Sequence, residues 1–506
     1  LRAYVGKDGK PAEFAPDNVP YQPESFLKID TEGFKPGDLA FVVGYPGSTE
    51  RLTTALETHH DIEWNMPRRV DLYQKYIDCL NDTAGDTEEL KIKAASMISG
   101  LENYKKNFIG CLAGADQQGL MEIKWEEEKN LQAWIETQPE RKNQYGTVIA
   151  DIDALLKTYY QSKETDLVNS LLGSRYNPLL QAAIQIVRMA EERPKADLDR
   201  DPEYQERNWQ RLEQQQVQLQ KSYSRELNIA LLTLTLQEGL ALPADQQPAL
   251  LHHLFPQPPT PQAIEETVIS FFEKTRLEDV DFRVQLLKNA SVEKLEKSDD
   301  PILQLALKLN PELKALKEKR ERLSGALVLL RPAYFAAYNE FKQGQIAPDA
   351  NSTIRVSFGT VRGFKPTPEQ DEYTPFTKVW EVAEKWAIHQ GEEPFDAPAK
   401  LIDAIQARRF GPYIMDEIGQ VPVNLLTDLD ITGGNSGSPT LNRRAEFAGI
   451  AFDGNIEGVA SDLLFLPEVT RAIHVDARYI LWVLDAVEHA DALLKEMGIT
   501  PSFSQP

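Results

Sequence analysis

The hydrophobic period changes along this chain and then changes back. Asp38-Leu39-Ala40-Phe41-Val42-Val43 is a short apolar run closed by Gly44-Tyr45-Pro46-Gly47-Ser48, the pattern of a strand entering a turn. Residues 1 to about 60 read as β throughout. From Pro67 the apolar residues recur at helical spacing: Val70, Tyr73, Tyr76, Ile77 and Leu80, then Ala94, Met97, Ile98, Leu101, Tyr104, Phe108, Cys111 and Leu112, then Ile149, Ile152, Leu155, Leu156 and Tyr159. Near residue 346 the period returns to two, in Thr353-Ile354-Arg355-Val356-Ser357-Phe358. Further strands are expected at 421–426 and 447–452, and Glu468 to Met497 reads as helical. An order of β, helical block, β and terminal helix is most simply an α-helical domain inserted into a β-protein, an α+β multidomain chain. The expected boundaries are 1–62 (β), 63–345 (helical insertion), 346–467 (β) and 468–506 (helix and tail).

The 506 residues are too many for one core and suit two or three domains. Leu242 to Pro261 is dense in proline and reads as a linker or ordered loop. Residues 203–236 form a long Gln/Glu/Arg-rich segment that becomes apolar towards Leu231 and Leu232, the stretch around Gln214–Gln220 reads as a solvated helix face rather than low complexity, and no internal repeat is visible. A net charge of −23 disfavours nucleic acid and anionic lipid as partners. No apolar run approaches the length of a membrane span. The cysteines, Cys79 and Cys111, lack C-x-x-C spacing; both fall in helical pattern and could pair or remain thiols. No metal-ligand cluster stands out, and no cofactor is expected. Leu1 begins inside what reads as a strand, so an upstream portion is expected.

The chemistry gathers in Gly433-Gly434-Asn435-Ser436-Gly437-Ser438-Pro439. A serine nucleophile needs a rigidly held hydroxyl beside backbone N–H groups that receive an oxyanion. Gly434 and Ser436 can both turn amides inward, and glycine permits the tight path. The nucleophile elbow Gly-x-Ser-x-Gly is a rival, but Ser438 stands where it needs glycine and the context is strand–turn–strand. A plain Gly/Ser turn is the other alternative. A general base should accompany the serine, oriented by an acid. The seven histidines are His59, His60, His252, His253, His389, His474 and His489. None follows a strand in a His…Asp…Ser order, and His474 and His489 are expected on the terminal helix.

The serine motif, the preceding Thr427-Asp428-Leu429-Asp430-Ile431-Thr432 and the following Phe452-Asp453-Gly454-Asn455 resemble the bacterial dipeptidyl aminopeptidases of the dipeptidyl-peptidase 7 and 11 type. So do Val43-Gly44-Tyr45-Pro46-Gly47-Ser48-Thr49, Asp349-Ala350-Asn351-Ser352-Thr353 and Ile473-His474-Val475-Asp476-Ala477-Arg478-Tyr479. The resemblance runs from end to end of the chain. It implies a chymotrypsin-like double β-barrel with a helical capping domain, residues 1–62 being the remainder of the N-terminal barrel. It implies release of dipeptides from the free N-terminus of oligopeptides through an acyl-enzyme. Ser436 would be the nucleophile and the N–H groups of Gly434 and Ser436 the oxyanion hole. The triad His and Asp would lie upstream of Leu1. A homodimer in a bacterial periplasm is implied as well.

Substrate-binding residues carry over from the same resemblance. Asn103, in Leu101-Glu102-Asn103-Tyr104, would grip the substrate ammonium together with the Asp453 carboxylate. Gly454 would line the pocket for the side chain preceding the cleaved bond. An arginine there would select acidic residues; glycine implies a hydrophobic or broad preference, the dipeptidyl-peptidase 7 branch. By themselves Asn103 reads as a helix-surface residue, and Asp453 and Gly454 as turn residues. The alternative function is a peptide-binding scaffold that kept the fold without the chemistry.

Overall fold

The computed structural model describes residues 3–344, 346–367 and 369–504. The chain forms two compact units, Leu1–Leu52 with Pro348–Pro506 and Thr53–Ala347. The first is built on strands and the second on helices, so the chain is a mixture of helix and sheet, as its changing period requires. No described helix is long and apolar enough to cross a membrane.

In the first unit, a two-residue ribbon pairs β1 (Tyr4–Val5) with β2 (Val19–Pro20). The remaining strands are β3 (Leu39–Gly44), β4 (Arg355–Thr360), β5 (Phe376–Lys378), β6 (Pro422–Thr427), β7 (Pro439–Leu441), β8 (Phe447–Gly454) and β9 (Ala472–Asp476). They form one antiparallel sheet of 7 strands in the order β4-β3-β7-β8-β9-β6-β5. The sheet curls strongly. Just past β4, Val361 bridges Thr427 of β6, and the Arg362 N–H donates to the Leu426 carbonyl at 3.2 Å. The interior is filled by Phe34, Ala40, Val42, Val361, Phe376, Leu425, Leu429, Ala448, Ala451 and Ala472. Alanine recurs because the curled sheet leaves little room between facing strands. A neighbouring apolar cluster, including Val379, Ile405, Phe410, Leu481 and Trp482, packs the C-terminal helices.

The chain leaves this unit after Leu52 and re-enters it at Pro348, and the two crossings lie side by side. Ser48 bridges Asn351, and the Ser352 N–H donates to the Pro46 carbonyl at 2.9 Å. An insertion needs this closeness of its ends. The helical unit is organised by Pro301–Lys342, a helix of 42 residues that runs through Pro311 and Pro332. Its N-terminal half packs Leu303, Leu305, Ala306 and Leu309 against Ile184, Val187 and Leu180 of the helix Pro178–Glu192.

Several sequence expectations need correction. Helix begins at Ala55, inside the stretch read as β, because Thr54 and Glu57 form a capping box that starts it. Residues 472–476 are a strand of the sheet, not part of the terminal helix. The Asp476 side chain accepts from the Arg478 N–H and starts the helix Ala477–Trp482 there. His474 therefore lies on β9, and His489 follows the helical turn Val483–Val487. The long 203–236 segment is broken into Trp209–Ser222 and Arg225–Leu240, the second capped by Ser224. The proline-dense stretch contains the short helix Ala249–Leu254, with His252 and His253 on it. Cys79 and Cys111 are both free thiols on helices. Of the expected opening strand only Tyr4 and Val5 pair; Leu1 and Arg2 lie outside the described residues.

Candidate active site

Ser436 sits in the loop between β6 and β7, exposed at its tip. Residues buried beneath it hold the loop. Asn435, 3% exposed, accepts from the Thr432 N–H through Oδ1 at 3.2 Å, while its own N–H donates to the Thr432 carbonyl at 3.0 Å. Its carbonyl accepts from the Ser438 N–H at 2.8 Å, and the Gly437 N–H donates to Ala451 at 2.8 Å. The loop is thus bonded to itself and to β8. Gly434 takes φ +102°, a conformation other residues resist. Among the described residues, the N–H groups of Gly434 and Ser436 have no acceptor, although both neighbours of Ser436 are engaged. Two free amides therefore flank the exposed hydroxyl.

The turn after β3 presses against this loop. A side chain at Gly44 would collide with Ser438 and come within 2.6 Å of the Asn435 amide nitrogen. The Gly47 N–H donates to the Gly433 carbonyl at 2.6 Å. Gly44 is required because the Ser438 and Asn435 side chains press on it, and Gly47 because its Cβ would lie 2.7 Å from the Gly433 carbonyl oxygen.

On the other side of the serine is the end of β8. Its register against β9 slips between Ala451 and Asp453, a bulge at Phe452. The Phe452 carbonyl accepts from the Ser436 hydroxyl at 3.3 Å. Asp453 and Gly454 follow at once, so the structure brings Ser436, Gly434, Asp453 and Gly454 to one end of the sheet. Asp453 Oδ1 accepts from the Gly454 N–H at 2.8 Å. A Cβ at Gly454 would meet only the Arg471 carbonyl, at 3.7 Å, so the space beside it is open. Asn103 belongs to the helical unit, exposed on Glu88–Gln117.

The histidines of this unit are engaged elsewhere. His474, fully buried, lies between the Thr427 and Thr440 hydroxyls, each 2.7 Å from a ring nitrogen, and burial pushes its pKa down to about 3. His389 stacks on Phe395, and the His489 ring lies 3.1 Å from the Phe503 carbonyl oxygen. The resemblance run 473–479 is structural: buried Asp476 pairs with Arg478, whose guanidinium also donates to the Phe34 carbonyl at 3.0 Å.

Sequence reasoning missed the way charged residues brace the loop that carries Ser436. Arg51 forms a two-bond fork to Asp430, and Asp349 receives the Arg51 and Leu52 N–H groups. Asp462 lies close by, its carboxyl held above the usual range by burial. Asp430 and Asp349 fall in the family-like runs 427–432 and 349–353, but nothing local to either run marks its meeting with Arg51.

A family model for peptidase S46 matches residues 1–499. The chain belongs to the peptidase S46 family. It is a hydrolase of the serine-type dipeptidyl-peptidase class. This S46 chain is 34% identical to an Asp/Glu-specific dipeptidyl-peptidase of Shewanella putrefaciens, over 99% of its own length and 70% of that protein's. It is 29% identical to dipeptidyl-peptidase 7 of Capnocytophaga gingivalis, covering 99% of this chain and 68% of the relative. Among solved structures it resembles DPP11 of Porphyromonas endodontalis in complex with the dipeptide Arg-Glu, with TM-score 0.75 and 26% identity over 99% of this chain and 70% of that one.

Proposed function

We propose that this S46 chain releases dipeptides from the N-terminus of oligopeptides, with Ser436 as the nucleophile. The observation that carries this reading is the exposed Ser436 hydroxyl flanked by the acceptor-free amides of Gly434 and Ser436. Attack on the scissile carbonyl forms an acyl-enzyme, and those amides receive the developing oxyanion. The Asp453 carboxylate and the Asn103 amide oxygen accept the protons of the substrate's terminal ammonium. The general base and its orienting acid are read, from the family resemblance alone, as lying upstream of Leu1; the histidines of the sheet unit have other partners. Residues 346–467 are read as the C-terminal barrel of a chymotrypsin-like double barrel, 1–62 as the remainder of its N-terminal barrel and the helical unit as its cap, in a homodimeric periplasmic enzyme.

For specificity the reading departs from the Shewanella relative, whose name is Asp/Glu-specific. Gly454 supplies no cation to pair with an acidic side chain, which supports a hydrophobic or broad preference at the residue before the cleaved bond.

The deciding experiment treats the complete protein and its Ser436→Ala variant with a fluorophosphonate and with dipeptidyl reporters. Rapid labelling of Ser436, lost together with reporter turnover in the variant, is the expected result. Turnover that survives Ser436→Ala would end this assignment. A second reading, a peptide-binding scaffold, draws on the same engaged histidines. It predicts an unlabelled wild-type Ser436 with retained peptide binding.

A further inference from the structure

We propose that Arg51 is a positioning residue for the nucleophile, tying the loop that carries Ser436 to the segment that follows Asp453 and Gly454. The inference rests on the assignment of Ser436 above.

The guanidinium donates in two directions. Nη1 and Nη2 donate to the two carboxylate oxygens of Asp430 at 2.6 and 2.8 Å. Nε donates to the Ser461 carbonyl at 2.6 Å, in the helical turn Ile456–Asp462 immediately after the specificity residues. The flat face lies over the Phe465 ring, 5.2 Å from its centre. The backbone of Arg51 is fixed in turn, because its N–H and that of Leu52 donate to opposite oxygens of Asp349 at 2.9 and 3.0 Å. The far end of the bridge is fixed as well: the Asp430 carbonyl accepts from the Ser357 hydroxyl of β4 at 2.8 Å. Arg51 thus joins β4, the nucleophile loop and the specificity segment through one planar group.

The geometry demands arginine. A carboxylate fork and a carbonyl at the Nε edge match the fixed donors of a guanidinium, whereas an ammonium is a point charge that meets one of them at a time. The effect is expected on the reaction more than on stability. The Arg51 and Asp430 side chains are 20% and 41% exposed, so solvent screens the attraction and the pair stabilises the fold little. Placement is less forgiving: a shift near 1 Å at a reacting group costs on the order of 100-fold in rate.

The test uses the complete protein and measures three quantities: the rate at which fluorophosphonate modifies Ser436, kcat and KM for a dipeptidyl reporter, and the unfolding temperature. For Arg51→Met, kcat and the labelling rate should fall together by at least ~10-fold while KM moves by less than about threefold. Arg51→Lys keeps the charge and the fold and should recover only part of the loss. Arg51→Met with Asp430→Leu removes both charges; its unfolding temperature should stay close to that of wild type, and the labelling rate should not be regained. A labelling rate within about twofold of wild type in Arg51→Met, or full recovery in Arg51→Lys or in the double variant, overturns the role. A wild-type protein that is not labelled at Ser436 removes the nucleophile assignment itself, and with it the task given to Arg51.

Discussion

Gly434 and the carbonyl of Tyr45 meet with no space for a side chain between them. A Cβ on Gly434 would lie 2.5 Å from the Tyr45 oxygen and 2.9 Å from the Gly47 nitrogen. The turn after β3 therefore sets where the loop carrying Ser436 can lie, though nearly 400 residues of sequence separate them.

Gly434→Ala should consequently move the loop. The substitution meets both the Tyr45 backbone and an unfavourable φ of +102°. With one oxyanion donor displaced, kcat should fall ~100- to 1,000-fold. Steady-state kinetics with a dipeptidyl reporter checks this; an unaltered kcat would remove Gly434 from the oxyanion site.

Gly454→Arg should fit and should change selectivity. Its Cβ would be in ordinary contact with the Arg471 carbonyl at 3.7 Å, and nothing else crowds it. The ratio of kcat/KM for reporters with Asp or Glu before the cleaved bond to those with Leu should rise at least ~10-fold, through charge pairing in the pocket. A constant ratio means that Gly454 does not face that side chain.

Asn103→Ala should leave stability nearly unchanged, because the residue is exposed on a helix. KM for substrates with a free amino terminus should rise, on the order of 10-fold for one lost charge-assisted hydrogen bond. If KM is unaltered, the ammonium is held elsewhere.

Burial of His474 should make the sheet unit sensitive to acid. Its pKa falls from 6.5 to about 3, so the folded state resists a proton that the unfolded chain accepts. The contribution to stability is complete above pH 6.5 and is lost as pH falls from there towards 3, at about 1.4 kcal/mol per pH unit at most. Unfolding temperatures measured at pH 7, 6 and 5 should fall more steeply for wild type than for His474→Gln. Parallel slopes would show that other groups govern the acid response.

The strands around the site were legible where local pattern and local structure agree. Leu39–Gly44 is an apolar run whose Ala40 and Val42 fill the sheet interior, and Arg355–Thr360 shows a strand's alternation, although its apolar Val356 and Phe358 lie on the exposed face. Residues 472–476 were misread because the strand runs into the helix Ala477–Trp482 without a turn, so its apolar residues joined the helical count. Ser436 stood out as a candidate because the chemistry proposed for it requires small residues in immediate succession. Arg51 was not, because an arginine after a turn looks solvent-facing until Asp430 and Ser461 are brought to it.

By itself the sequence determined the β–helical–β order, the serine motif and the neighbouring Asp453-Gly454 pair. These are written in periods and residues a few positions apart, which local backbone preferences are enough to decode. Only the tertiary structure decided that β3 and β4 pair across the helical insertion, that Gly44 and Gly47 lie against the loop carrying Ser436, and that Arg51 reaches Asp430. Those relations depend on which distant segments share a core, and the chain settles that only when it buries all of its apolar faces at once.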